Sequence, residues 1–271
     1  MNDLDRYRDR IGVAGPLRPD LATLRRLHRA HLRAVPFESA SVVFGEPVVL
    51  DLDAFVHKLG VLGRGGFCYE LNGAFAVLLR SIGFDVDLVE ARGHEDEGRI
   101  GPRFDHLALR VTLDEPWLVD VGFGYSFVEP LRLTVGIEQA DPVGAFRLAE
   151  ASDDGLDLEW RHRDGRWVPH YRLDPSPRTL EEFAETCRYH QTSPDSPFVG
   201  RWNCVIFTAD GATSLSGRHY VSTDGTARDE RDLTEDELPQ VLEEAFGIRA
   251  RRIDGRWARI EPAQASSEGQ V

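Results

Sequence analysis

Leu21, Leu24, Leu27, His28, Ala30 and His31 recur near a 3.6-residue period behind Pro19 and Asp20, a spacing that predicts a helix with Asp20 as its N-cap. A second helix is expected from Asp53 to Leu59. A third should open at Phe67 or Cys68, run through Glu70, Leu71, Ala74, Phe75, Leu78 and Leu79, and stop where Gly83 lets the chain turn. From Val86 the period changes to two. His106 to Leu113 alternates as a strand, Asp114-Glu115-Pro116 is a turn, and Trp117 to Val121 is the returning strand. A tight hairpin centred on Asp114-Glu115 sets Asp120 opposite Leu109, not opposite His106.

Later patterns extend the β region. Leu156–Arg163 and Trp167–Leu173 flank the turn Asp164-Gly165, and Cys204–Ala209 follows. Asp232 to Phe246 is expected to be helical, capped by Asp232 or Thr234, with Leu238, Val241, Leu242 and Ala245 on one face and Gly247 as its end. A last strand is expected at Trp257–Ile260, and the polar residues 263–271 read as a disordered tail. There is no internal repeat.

Composition narrows the function. Lys+Arg 32 against Asp+Glu 46 gives a net charge of -14, which repels nucleic acid. The longest apolar run, Ala74–Leu79, is far short of the roughly 20 residues that cross a bilayer. The opening MNDLDRYRDR lacks the apolar core of a secretory signal. Three cysteines, Cys68, Cys187 and Cys204, in a long chain do not form a disulfide framework, so a cytoplasmic location is expected.

The candidate chemistry starts at Arg64-Gly65-Gly66-Phe67-Cys68-Tyr69-Glu70-Leu71-Asn72. Two glycines relieve steric constraint ahead of a helix, and a cysteine at the helix start meets unpaired N–H groups and the positive end of the dipole, which favour a thiolate. The alternative is an inert buried thiol. A thiolate nucleophile needs a histidine to exchange protons with and a third group to orient it; His106 and Asp120 are the candidates. Each also has a plainer reading, His106 as a strand-end surface residue and Asp120 as a cap on the Gly122–Gly124 turn. His28 and His31 lack a ligand-type partner and read as a polar helix face, and Cys187 with His190 lacks a second pair, so no metal site is expected. Gly63-Arg64-Gly65-Gly66 lacks the features of a P-loop or dinucleotide site.

Taken together, AVPFE (Ala34–Glu38), RGGFCYELN (Arg64–Asn72), FDHLALRV (Phe104–Val111), WLVDVGFG (Trp117–Gly124) and CRYHQTSPDSPF (Cys187–Phe198) resemble the arylamine N-acetyltransferase family in order and spacing. The resemblance implies an α+β fold with a cysteine-protease or transglutaminase-like catalytic core. Its parts would be an N-terminal helical bundle (1–84), a central antiparallel β-barrel (85–190), an interdomain segment with a C-terminal α/β lid (191–262), and the tail. It also implies a Cys68-His106-Asp120 triad and ping-pong acetyl transfer from acetyl-CoA, a co-substrate with no tightly bound cofactor beside it, to arylamines, arylhydrazines or arylhydroxylamines. The Cys68 N–H would serve as oxyanion donor.

By the same resemblance, Phe37, Phe123 and Phe207 wall an aromatic acceptor site, and Arg10, Glu38 and Arg64 form a charged support beneath it. Coenzyme A is polyanionic, so an acidic chain needs a local basic patch, for which Arg99, Arg103 and Arg218 are candidates. The family's PFEN segment reads Pro36-Phe37-Glu38-Ser39 here. Three alternatives stay open: a macrolactam-forming amide synthase of the same fold, a transglutaminase-like thiol hydrolase, and a non-catalytic binding module.

Overall fold

A computed structural model of the chain describes residues 1–94, 98–151, 155–161 and 164–260. Helix formation begins ahead of the first expected helix. In α1 (Asp3–Arg10), the Asn2 side chain accepts the Asp5 N–H at 2.8 Å, and acidic first-turn and basic last-turn residues match the helix dipole. α2 (Leu21–Ala34) starts as expected, with Asp20 Oδ1 accepting from Thr23 N at 2.8 Å. Two short elements that no period announces, β1 (Phe37–Glu38) and α3 (Ala40–Phe44), lead to α4 (Leu52–Gly60), capped by Asp51. α5 (Cys68–Ile82) ends where Gly83 adopts φ 103°. Tyr7, Leu24, Leu27, Phe55, Leu59 and Phe75 are fully buried between these helices.

An eight-stranded antiparallel sheet follows: β2 (Asp85–Gly93), β3 (His106–Thr112), β4 (Pro116–Val119), β5 (Leu131–Arg132), β6 (Gln139–Asp141), β7 (Gly144–Glu150), β8 (Leu156–Arg161) and β9 (Trp167–Arg178). Its order is β5-β4-β3-β2-β9-β8-β7-β6. The Gln139 side chain accepts from Arg132 N at 2.7 Å and donates to Arg132 O at 3.1 Å, so the two edge strands meet and the sheet nearly closes into a barrel. Period two decides the packing. Leu107, Leu109 and Val111 belong to the core shared with the helices, whereas Ala108 packs with Phe127, Phe146, Leu158 and Leu173.

The β3–β4 turn corrects the expected register. Thr112 pairs with Pro116 and Leu109 with Val119, because the loop has three residues, 113–115, rather than a two-residue centre at Asp114-Glu115. A one-residue slip changes which face a side chain occupies. The observed register, carried one residue past β4, puts Asp120 opposite Ala108 and on the same face as His106.

After β9 come a 3-10 turn (Leu180–Phe183) and α6 (Ala184–Thr192). β10 (Asn203–Phe207), β11 (Ala212–Ser216), β12 (His219–Asp224) and β13 (Ala227–Asp232) form a second sheet whose outer strand on one side is β1, with Phe37 paired to Val205. α7 (Leu238–Phe246) covers that sheet through Leu238, Leu242 and Phe246, and the hairpin β14 (Ala250–Ile253) and β15 (Arg256–Arg259) closes the described chain. The last helix therefore starts later than expected. Asp232 is in β13, and Thr234 donates from both N and Oγ1 to Glu237 at 2.8 Å, a turn that delays the helix until just before Pro239. The expected strand end at His162 and Arg163 and the expected tail 263–271 lie outside the described residues. Among those described, no helix is long and apolar enough to cross a membrane.

Candidate active site

Close backbone approach explains the glycines before Cys68. A Cβ on Gly65 would lie 2.2 Å from Pro36 O, and the Gly66 carbonyl accepts the Glu38 N–H at 2.8 Å. The segment can therefore lie flat against β1 and deliver Cys68 to the first turn of α5. There Glu70 Oε2 accepts the Phe67 N–H at 3.2 Å while its other oxygen pairs with Lys58 Nζ at 2.6 Å, both side chains buried. Cys68 itself is 4% exposed. Gly122 lies against it from the barrel side, with room for no Cβ: one would stand 2.8 Å from Cys68 Cα.

His106 and Asp120 meet, as the register allows. His106 Nε2 lies 2.7 Å from Asp120 Oδ2, and the ring lines the same cavity as Cys68, whose sulfur is one of the groups acting on it. Asp120 Oδ1 accepts from Asn72 Nδ2 and Gly122 N, each at 2.9 Å. Asp120 thus orients the imidazole and also caps the glycine turn, so both readings from the sequence describe one side chain. Burial works against the His106 cation, but the Asp120 charge and hydrogen bond, with the Cys68 sulfur, outweigh it and move His106 well above its ordinary 6.5. Burial likewise favours the neutral acid at Asp120, yet His106, Asn72 and Gly122 hold it below 3.8.

Two supports go beyond the expected site residues. Asn72, one turn after Cys68, donates to Asp120 and to Leu107 O at 2.7 Å and accepts from Val121 N at 2.9 Å, tying helix to barrel. Its only signal in the sequence is its place four residues after the cysteine, on the same helix face. His28, expected on a polar helix face, is fully buried instead. Its Nδ1 lies 2.8 Å from Val128 O, and its Nε2 faces the Asp120 backbone, 3.0 Å from O and 3.3 Å from N. His31 is also buried, its Nδ1 2.5 Å from Tyr7 Oη. Both ring nitrogens of His28 are satisfied by the 120–128 segment, and Nδ1 of His31 by Tyr7, contacts that periodicity along the helix cannot reveal.

A cavity of about 330 Å³ opens over Cys68 and His106, walled by Phe37, Phe123, Tyr125, Phe198 and Val205. The Phe123 ring stands perpendicular to that of His106 at 5.1 Å. Phe207 is not in the wall: it stacks behind Tyr125 at 5.7 Å. Arg10, Glu38 and Arg64 lie together beneath the site but meet mainly through backbone. Arg10 donates to the carbonyls of Leu59 at 2.7 Å and Arg64 at 2.5 Å, Glu38 accepts from Ala40 N at 2.5 Å, and Arg64 pairs with Glu46 at 2.5 Å. Arg99, Arg103 and Arg218 line no part of this cavity; Arg103 is committed to Glu90 at 3.0 Å. Cys187 and Cys204 are the inert thiols. Burial pushes Cys187 up to about 12 and Cys204 well above its ordinary value.

Residues 20–254 match a family model described as N-acetyltransferase. The chain is 33% identical to the arylamine N-acetyltransferase of Mycolicibacterium smegmatis over 97% of this chain and 98% of that protein. It is 32% identical to the pineal gland isozyme NAT-3 of Gallus gallus over 97% and 99%. The chain belongs to the arylamine N-acetyltransferase family. Among solved structures of the family, the Mycobacterium marinum arylamine N-acetyltransferase in complex with CoA superposes with TM-score 0.84 at 30% identity, covering 90% of this chain and 92% of that one. The Mycobacterium abscessus arylamine N-acetyltransferase gives 0.83 at 33%, covering 91% and 89%. This chain is therefore an acyltransferase by family. In this member of the family, Ser39, which replaces the asparagine of PFEN, donates to Arg201 O at 3.1 Å and accepts from Asn203 N at 3.0 Å, fastening β1 to β10.

Proposed function

We propose that the chain transfers an acetyl group from acetyl-CoA to arylamines, arylhydrazines or arylhydroxylamines by a ping-pong route through an acetyl-Cys68 thioester. The observation that carries this reading is the His106 ring held through Nε2 by Asp120 at 2.7 Å on the wall of the cavity that it shares with Cys68. Cys68 gives its proton to Nδ1 and attacks the acetyl carbon; the carbon–sulfur bond to coenzyme A breaks, and the departing thiolate takes the proton back. One thioester replaces another, so the step is nearly balanced. The amine nitrogen then attacks the thioester, the carbon–sulfur bond to Cys68 breaks, and the proton lost by the amine passes through Nδ1 to the departing thiolate, restoring the starting thiol. Asp120 fixes the ring and stabilises its cation throughout. The Cys68 N–H, in the first turn of α5 with no carbonyl four residues back inside the helix, is the oxyanion donor. Phe37, Phe123, Tyr125 and Phe198 give flat, weakly basic amines an apolar seat.

The test is intact-protein mass spectrometry of wild type and Cys68→Ala mixed with acetyl-CoA, followed by an arylhydrazine chase. One acetyl group on wild type alone, lost as acetylated hydrazine appears, is the expected result. Folded wild type with a free thiol and no acetyl adduct would refute the reading and favour the amide-synthase or thiol-hydrolase alternative.

A further inference from the structure

The cavity over Cys68 holds a second histidine–carboxylate pair that the mechanism does not use. His190 of α6, 3% exposed, lines it together with Asp105, the residue just before His106. His190 Nε2 lies 3.0 Å from Asp105 Oδ1 and 3.3 Å from the Asp105 carbonyl oxygen. That same carbonyl accepts from Tyr69 Oη at 3.1 Å and lies 4.0 Å from Cys68 Sγ. Asp105 Oδ2 accepts the Gly93 N–H at 3.1 Å, so the carboxylate is fixed on both oxygens.

The ionisable groups facing Cys68 are Tyr69 on its own helix, Asp105 and His106 at the head of β3, and Cys187 and His190 from α6, with Asp120 behind His106. Burial keeps Tyr69 and Cys187 protonated, so neither brings charge. His106 and Asp120 pair with each other. Glu70, in the same helical turn as Cys68, is paired with Lys58. Asp105 is the remaining carboxylate residue on the cavity wall, its carbonyl oxygen 4.0 Å from Cys68 Sγ, and an anion there opposes ionisation of the sulfur.

We propose that His190 is a positioning residue for the nucleophile: by pairing with Asp105 it screens that carboxylate from the Cys68 sulfur and so eases formation of the thiolate. The proposal rests on Cys68 as the nucleophile.

The test follows alkylation of Cys68 by iodoacetamide against pH, read by peptide mass spectrometry on full-length protein without acyl donor. His190→Gln keeps a hydrogen-bonding side chain but exposes the sulfur to the Asp105 charge; its profile midpoint should rise by about one pH unit, roughly tenfold slower alkylation below the midpoint. Adding Asp105→Asn should return the midpoint to the wild-type value or below, an antagonism that simple loosening of the site does not produce. A His190→Gln profile coincident with wild type, or a double variant as shifted as the single one, overturns the proposal. If His190→Gln does not fold, Asp105→Asn, which keeps the side chain's shape, decides: its midpoint falls if the proposal holds, and an unmoved or raised midpoint refutes it. Failure of acetyl-CoA to label wild type, with the alkylation shift present, would sink the proposed function and leave this assignment standing.

Discussion

Two buried ion pairs flank the first turn of α5. In the first, Lys58 Nζ reaches Glu70 at 2.6 Å and Ser41 Oγ at 2.9 Å, and Glu70 spends its second oxygen on the Phe67 N–H. In the second, His106 and Asp120 lie 2.7 Å apart, both carboxylate oxygens of Asp120 are used, and the histidine ring lines the cavity beside Cys68. The first pair is closed, with its bonds made to parts of its own scaffold. The second is closed on one side only. Burial and charge are common to both, so neither marks a reactive site; the partner left over for a reacting atom does.

Replacing Asp120 should break the second pair at its catalytic end. Asp120→Asn is expected to cut kcat/KM by about 10³-fold or more, because the ring loses both its orientation and its counter-charge. The same variant has a pH signature. His106 is raised, so its contribution to stability is full below its ordinary 6.5 and fades as pH climbs toward its folded value; Asp120 is depressed, so its contribution is present above 3.8 and disappears as pH falls through its folded value. Denaturant titrations should therefore show the wild-type advantage over Asp120→Asn greatest between about pH 4 and 6.5 and smaller by pH 9. An advantage independent of pH would mean that the pair is not ionic.

Lys58→Met should act on the closed pair as a fault of stability. It strands a buried carboxylate, at a cost of about 3–5 kcal/mol by denaturant melts at pH 8, and less at pH 5, where Glu70, already raised by burial, takes up a proton. Adding Glu70→Gln should restore most of the loss while keeping the Phe67 cap. Acetyl transfer by the folded fraction should stay within a few-fold of wild type, which a catalytic role for Lys58 would contradict.

The smallest effect sought is at the seam between the two regions. Gly122→Ala pushes a methyl group against the Cys68 backbone, so a loss of about 1–3 kcal/mol is expected. It should come with slower alkylation of Cys68. An unchanged melt would show that the glycine turn yields more readily than its contacts suggest.

The long helices and the Cys68, His106 and Asp120 positions are legible because each leaves a local mark: a period, a cap, a cysteine after paired glycines, an acid ending an apolar run. What places them together is not local. The His106–Asp120 contact hangs on one extra residue in the 113–115 turn. Asn72 and His28 look ordinary along their helices and become supports only when the 120–128 segment packs on them. Phe207 has the right chemistry for a wall and the wrong layer, because Tyr125 stands in front of it.

The pairing of Phe37 with Val205 joins segments separated by more than half the chain. It also closes one wall of the cavity over Cys68. During synthesis the nucleophile therefore emerges long before β10 does, and until β10 pairs with β1 the cavity lacks the wall that Cys204 and Val205 supply. The closure of β1 onto β10 is a long-range pairing of the kind that forms slowly, and it adds a strand to the shelter around Cys68.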